Sequence, residues 1–170
     1  NILDLTISEA CSLELIMEPV DVKVLVDSAV AEKQQPAADK GIDLSLTING
    51  SAGLVEGDAR RLAASLHHLL ANSIAFTPAG GRVLVLVEGG HEDVAITVSD
   101  SGIGIAVEEQ ERIFSPFNRH DEGAGASVGG LGLALVRRYV TLHQGMVELH
   151  SELGAGTTVK LKIPRHQATA

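Results

Sequence analysis

Aromatic residues are almost missing from this chain: 170 residues contain no Trp, one Tyr and three Phe. Any core must therefore be made of Leu, Val, Ile and Ala. Positive charge is also scarce, with 13 Lys and Arg against 22 Asp and Glu and a net charge of −9. That balance excludes a nucleic-acid surface, which needs clustered cations to neutralise phosphates. The single cysteine, Cys11, cannot close an internal disulfide and fits a reducing compartment. No apolar run is long enough to span a bilayer. What is present is a hydrophobic content of 45%, ample for the core of one domain of this length.

Residues 1–12 read as the end of a helix, and Leu13 to Pro19 as a short strand stopped by its proline. Asp21 precedes a helical pattern with Val22, Leu25, Val26, Ala29 and Val30 on one face; Pro36 should bend or interrupt it and Gly41 close it. Leu44, Leu46 and Ile48 alternate as a strand, and a second short strand around Leu54-Val55 ends at Gly57. Asp58 then caps a long helix that Thr77-Pro78 stops after Phe76. Val83 to Val87 and Val94 to Val98 read as neighbouring strands across Gly89-Gly90. A short acidic helical piece (108–113), a loop without periodicity (119–130) and an apolar helix from Leu131 to His143 follow. Two strands, Val147 to Ser151 and Thr158 to Ile163, close the domain, and the tail after Pro164 should fray. The expected fold class is α+β: a two-layer sandwich with helices packed on one face of a mixed sheet.

Three stretches can carry chemistry. The strand Val94-Ile96-Val98 runs into Asp100-Ser101-Gly102-Ile103-Gly104-Ile105. The aspartate offers acceptor oxygens to a ligand amine, and the glycines allow a tight turn and the approach of a flat ligand. On the long helix, Leu62, Leu66, Leu69, Leu70 and Ser73 form the core face, with Arg61, Ser65, His68 and Asn72 as a flanking stripe. An Asn at the edge of a buried face either satisfies a neighbouring loop or holds a hard cation such as Mg²⁺, which needs few protein oxygens when phosphates supply the rest. His68 reads as a hydrogen-bonded flank residue, a ligand or a base. Gly129-Gly130-Leu131-Gly132 opens the apolar helix; it serves either as a hinge or as a cradle of N–H groups for phosphate. No Gly-Lys-Ser/Thr follows, so it is not a Walker A loop, and Val107 spoils a Rossmann fingerprint at the first stretch.

Taken together these stretches resemble sensor histidine kinases. Leu69-Leu70-Ala71-Asn72-Ser73-Ile74-Ala75-Phe76-Thr77-Pro78 resembles their N box, and Asp100 to Ile105 their first glycine box. Ile113-Phe114-Ser115-Pro116-Phe117-Asn118-Arg119 is similar to the phenylalanine box, and Gly130-Leu131-Gly132-Leu133-Ala134-Leu135-Val136 to the second glycine box. Gly154-Ala155-Gly156-Thr157-Thr158 matches the closing hairpin, and the order holds from about Glu14 to Pro164. The resemblance implies the Bergerat ATP-binding fold, with ATP and Mg²⁺ as cofactors. Carried over by position, Asp100 would hold the adenine amine, with Gly102, Gly104 and Ile105 around the base. Asn72 would ligate Mg²⁺, with His68 one turn away as a further catalytic candidate. Gly130, Leu131 and Gly132 would meet the phosphates, Phe114 and Arg119 would belong to the lid, and Thr158 or its neighbour Thr157 would touch the adenine side.

The resemblance further implies a division into residues 1–12, the end of a dimerisation and phosphoacceptor hairpin; 13–165, the catalytic and ATP-binding domain; and 166–170, a tail. It implies transfer of the γ-phosphate to a histidine on that hairpin, then to the aspartate of a response-regulator receiver domain. The full protein would be a homodimer with this domain in the cytoplasm, anchored or not in the inner membrane. Departures from the pattern are Ala75, where the N box usually carries a cation, and Val128-Gly129, where a Gly and a hydroxyl are usual. No His stands in a phosphoacceptor setting. The alternative is a degenerate, pseudokinase-like domain that binds nucleotide weakly and serves as a scaffold. A hydrolytic ATPase of the Hsp90 or MutL kind is disfavoured, because His68 stands where those enzymes carry their water-activating Glu.

Overall fold

The computed structural model describes residues 16–50, 52–106 and 135–165. Expectations for the opening helix tail, the 108–113 helix, the 119–130 loop and residues 166–170 lie outside them. The elements run β1 (Glu18–Asp21), α1 (Val22–Lys40), β2 (Asp43–Asn49), β3 (Leu54–Gly57), α2 (Ala59–Phe76), β4 (Arg82–Gly89) and β5 (Asp93–Asp100). A helical stretch over 135–142, here α3, leads to β6 (Met146–Glu152) and β7 (Gly156–Pro164). A five-stranded sheet has the order β2-β4-β5-β7-β6, parallel only between β2 and β4. β1 and β3 form a separate antiparallel ribbon.

Period-2 alternation decides which face of the sheet is covered. Val83, Val85 and Val87 of β4, Val94, Ile96 and Val98 of β5, and Val159, Leu161 and Ile163 of β7 form one buried layer. Against it lie Leu62, Leu66, Leu69 and Leu70 of α2 and Val22, Val26 and Val30 of α1. The expected mixed sheet with helices on one face is the fold observed.

Several local expectations change. Pro19 sits inside β1 rather than ending it; a two-stranded ribbon has a free edge where the missing N–H costs no ladder bond. Helix α1 runs through Pro36 without interruption. It starts at Asp21, whose side chain accepts from the Val24 N–H, and ends where the Gly41 N–H reaches the carbonyls of Ala37 and Ala38. Arg165, expected to fray, is pinned: its guanidinium donates to the carbonyls of Gly90, Ala52 and Leu54 at 2.8, 2.8 and 3.1 Å. It ties the β1–β3 ribbon to the rim of the main sheet. His143 is fully buried. Its Nε2 accepts the Asp58 N–H at 2.9 Å, so Nδ1 carries the proton donated to the Tyr139 carbonyl at 2.7 Å. Thus α3 is bolted to the start of α2. His150, by contrast, is exposed.

Candidate functional site

The end of β5 organises the site. Asp100 continues the inward row Val94, Ile96, Val98, so alternation turns its carboxylate toward the helix layer instead of solvent. Its Oδ1 accepts the N–H groups of Gly102 at 2.9 Å and Thr157 at 3.2 Å. Burial pushes its pKa above the usual carboxylate range, and the bonds from Gly102, Thr157 and the Ser73 hydroxyl only partly oppose this. The fold thus keeps a carboxylate where desolvation works against its charged form. Such a group is a binding-site candidate.

The two glycines after Asp100 do something the sequence did not suggest. A Cβ on Gly102 would lie 2.5 Å from the Phe76 carbonyl oxygen, and the Ile103 N–H donates to that same oxygen at 3.2 Å. The strand exit therefore passes directly under the last turn of α2. Gly104 has φ +75°, and its Cβ would collide with the Glu152 carbonyl oxygen at the β6–β7 turn. The space that a side chain would need at either position is filled by backbone, not by a ligand cleft. These glycines join α2, the β5 exit and the β6–β7 turn into the floor of the site. We expect Gly104→Ala to cost about 2 kcal/mol or more, since it adds a clash to a left-handed backbone. Urea unfolding would measure this; an unchanged midpoint would mean the turn yields freely.

Ser151 locks the next residue. Its hydroxyl accepts the Ile105 N–H at 2.8 Å and donates to the Gly156 carbonyl at 2.9 Å. Its one proton being used, the contact with Thr157 Oγ1 at 2.9 Å must be donated by Thr157. Thr157 pairs directly with Asp100 across β5 and β7 and so shares its face. Thr158 lies on the opposite face, where its Oγ1 meets Ser99 Oγ at 2.9 Å. Of the two threonines, it is Thr157 that stands beside Asp100; the strand register decides between them.

The other side of the site comes from α2. Asp58 caps this helix, accepting from the N–H groups of Arg60 and Arg61. Asn72 is only 7% exposed, and neither its Oδ1 nor its Nδ2 has a hydrogen-bond partner among the described residues. A buried amide left so costs about 1–3 kcal/mol. An oxygen donor held without a protein partner suits a hard cation whose remaining ligands are phosphate and water. His68, one turn earlier, is half-buried, and its ring meets that of His67 edge-on at 5.8 Å. Alongside runs α3: Leu135 and Tyr139 pack with Ala64, and the Arg61 guanidinium lies 5.4 Å from the Tyr139 ring centre.

Sequence reasoning missed Lys40. Its ammonium donates to the carbonyls of Ile74 and Ala75 at 2.7 and 2.8 Å, capping α2 at the position where the N-box cation is absent. Nothing local in the sequence links residues 34 positions apart. Phe114, Arg119, Gly130, Leu131 and Gly132 lie outside the described residues. Among the described residues no helix is long and apolar enough to cross a membrane, and no cluster of three His, Cys, Asp or Glu could hold a metal.

A five-stranded mixed sheet with helices on one face, a carboxylate at the end of a central strand and an amide on the covering helix define the class of GHKL-type domains. The chain belongs to the family described as histidine kinase-, DNA gyrase B- and HSP90-like ATPases, whose model matches residues 57–167. It is 36% identical over 167 residues to the sensor protein DivL of Caulobacter vibrioides, covering 98% of this chain and 21% of that protein. It is also 36% identical over 153 residues to the sensor protein kinase PmrB of Pseudomonas aeruginosa, covering 89% of this chain and 32% of that one. The chain thus spans about a fifth to a third of these relatives. Among solved structures, full-length ShkA in complex with AMPPNP superposes with a TM-score of 0.85 at 29% identity, over 99% of this chain and 35% of that chain. The mycobacterial sensor histidine kinase MprB gives 0.75 at 26% identity, over 90% of this chain and 100% of that chain.

Proposed function

We propose that residues 13–165 are the catalytic and ATP-binding domain of a two-component sensor histidine kinase, with 1–12 the end of its dimerisation and phosphoacceptor hairpin and 166–170 a tail. The observation that carries this reading is the buried amide of Asn72, without a hydrogen-bond partner among the described residues, on the helix whose Ser73 hydroxyl bonds the Asp100 carboxylate at the end of β5. In this reading Asp100 accepts the adenine amine through the oxygen not occupied by Gly102 and Thr157. Gly102, Gly104 and Ile105 form the floor beneath the base, and Thr157 rather than Thr158 stands at its edge. Asn72 holds Mg²⁺, with His68 beside it. Gly130, Leu131 and Gly132 meet the phosphates, and Phe114 and Arg119 belong to the lid. When bound, the metal neutralises phosphate charge for transfer to a histidine nucleophile. The chain's own residues contribute positioning, which is most of what phosphoryl transfer asks of a protein.

The partners proposed are the protein's own hairpin in a homodimer and a response-regulator receiver domain. The domain would work in the cytoplasm, in a protein that is anchored in the inner membrane or free of it. Support comes from the sensor kinases among the relatives and from AMPPNP in the ShkA complex. Calorimetric titration with ATP is the test. Saturable one-to-one binding that tightens with magnesium is expected; absence of binding with and without the ion would overturn the proposal.

A further inference from the structure

We propose that the outer edge of β6 is a self-association surface, on which a second copy of this chain adds its own β6 antiparallel about a two-fold axis through Leu149. Among the described residues the main sheet ends on β2 and β6, and the small ribbon consists of β1 and β3. Unpaired strand edges are usually guarded. Gln34 of α1 donates to the Leu44 carbonyl of β2 at 3.2 Å, Pro19 removes a donor from β1, and the Glu56 N–H of β3 donates to the Arg165 carbonyl at 2.9 Å. By contrast, β6 runs from Met146 to Glu152 without proline, lysine or bulge, in unbroken register with β7. Exposed apolar side chains stand at both its ends, Met146 at 62% and Leu153, just past Glu152, at 72%.

The residues of β6 select both the partner and the register. Two copies of one strand related by a two-fold axis keep their faces matched only if the axis passes through a residue, because side chains alternate with period two. An axis through Leu149 pairs all seven residues of the strand: Met146 with Glu152, Val147 with Ser151, and Glu148 with His150. Moving the axis to Glu148 sets that carboxylate against its own copy. Moving it to His150 sets imidazole against imidazole and Glu148 against Glu152. Of the three, the axis at Leu149 alone places a carboxylate opposite an imidazole, and symmetry makes it do so twice. Glu148 already lies opposite Lys160 of β7, so the pairing seats it between a lysine and the copy's His150. Leu149, partly buried against the core, gains the copy's Leu149 as a neighbour, and Met146 meets the same end of the interface as the copy's Leu153.

Sedimentation velocity of the whole chain over a range of concentrations is the test. The parent is expected to self-associate reversibly. Glu148→Lys sets a cation against the copy's imidazole, and His150→Glu sets two carboxylates together; each alone should weaken association by about tenfold. An equimolar mixture of the two variants restores a favourable partner at both positions, so association should return to the parent's strength as a one-to-one pair of unlike chains. Damage to the fold would not be repaired by mixing. A parent that stays monomeric, variants that associate as the parent does, or a mixture no stronger than either variant would each overturn the inference. Association through residues 1–12 would be recognised in the same way, since substitutions on β6 would leave it unchanged. None of these outcomes bears on whether the chain binds nucleotide.

Discussion

Asp100→Asn is expected to weaken adenine-nucleotide binding by on the order of 100-fold, equivalent to about 2.7 kcal/mol, while the fold stays intact or gains stability. The two effects have one origin. Oδ1 already takes the Gly102 and Thr157 N–H groups, and an Asn side chain preserves both by keeping its oxygen there. Its amide nitrogen then occupies the remaining position. A purine amine would meet a donor where it needs an acceptor, so an attractive contact becomes a repulsive one. The stability side follows from the raised pKa of Asp100. A carboxyl whose folded-state pKa lies above its unfolded value favours folding only while protonated. Its contribution is present below the ordinary Asp range and is lost as pH rises through the folded-state value. Above that value the parent carries the cost of an ionised, partly desolvated carboxylate, and the Asn variant does not. Melting curves from neutral to acid pH should show the variant at or above the parent at pH 7. The gap should close as the parent's carboxyl takes up its proton. Unchanged nucleotide affinity would remove Asp100 from the base site; a variant that is less stable at neutral pH would contradict the desolvation argument.

The parts of this molecule legible in its sequence are those fixed locally. Helix α2 announces itself through Asp58 at its start, leucines at helical spacing, and Thr77-Pro78 at its stop, and it spans Ala59–Phe76 as expected. The alternation Val94, Ile96, Val98 gave β5, and the same period carried one residue further puts Asp100 on the buried face. What could not be read depends on distant partners. The β1–β3 ribbon stands apart from the main sheet, and Arg165, more than 100 residues away, holds its rim. The choice between Thr157 and Thr158 needed the β5–β7 register. The glycines after Asp100 were legible as special, but their reason was not. Only the fold reveals that backbone from Phe76 and Glu152 fills the space beside them. Lys40 likewise reaches the end of α2 only once α1 and α2 are packed together.

Asn72→Ala is expected to erase the magnesium dependence of ATP binding at little cost to the fold. An ordinary buried Asn is stabilising because its amide completes hydrogen bonds, and truncation leaves partners stranded. Here no partner among the described residues is lost, because neither amide atom has one. Truncation relieves a desolvated polar group and leaves a small void, and the two changes oppose each other. The ligand-bound state is where the amide matters: with magnesium, the variant's affinity should fall by about tenfold or more. Without the ion, parent and variant should bind alike. Asn72→Asp sharpens the case. It keeps a hard oxygen donor and adds a negative charge, which repels phosphates until a cation lies between them. That variant should bind ATP more weakly than the parent in metal-free buffer and recover as magnesium is added, giving a steeper dependence than the parent's. The two substitutions thus move the slope in opposite directions, a pattern that general damage to α2 would not produce. If Asn72→Ala retains the parent's ratio of affinities with and without magnesium, the amide is not a metal ligand, and its burial without a partner must have another cause.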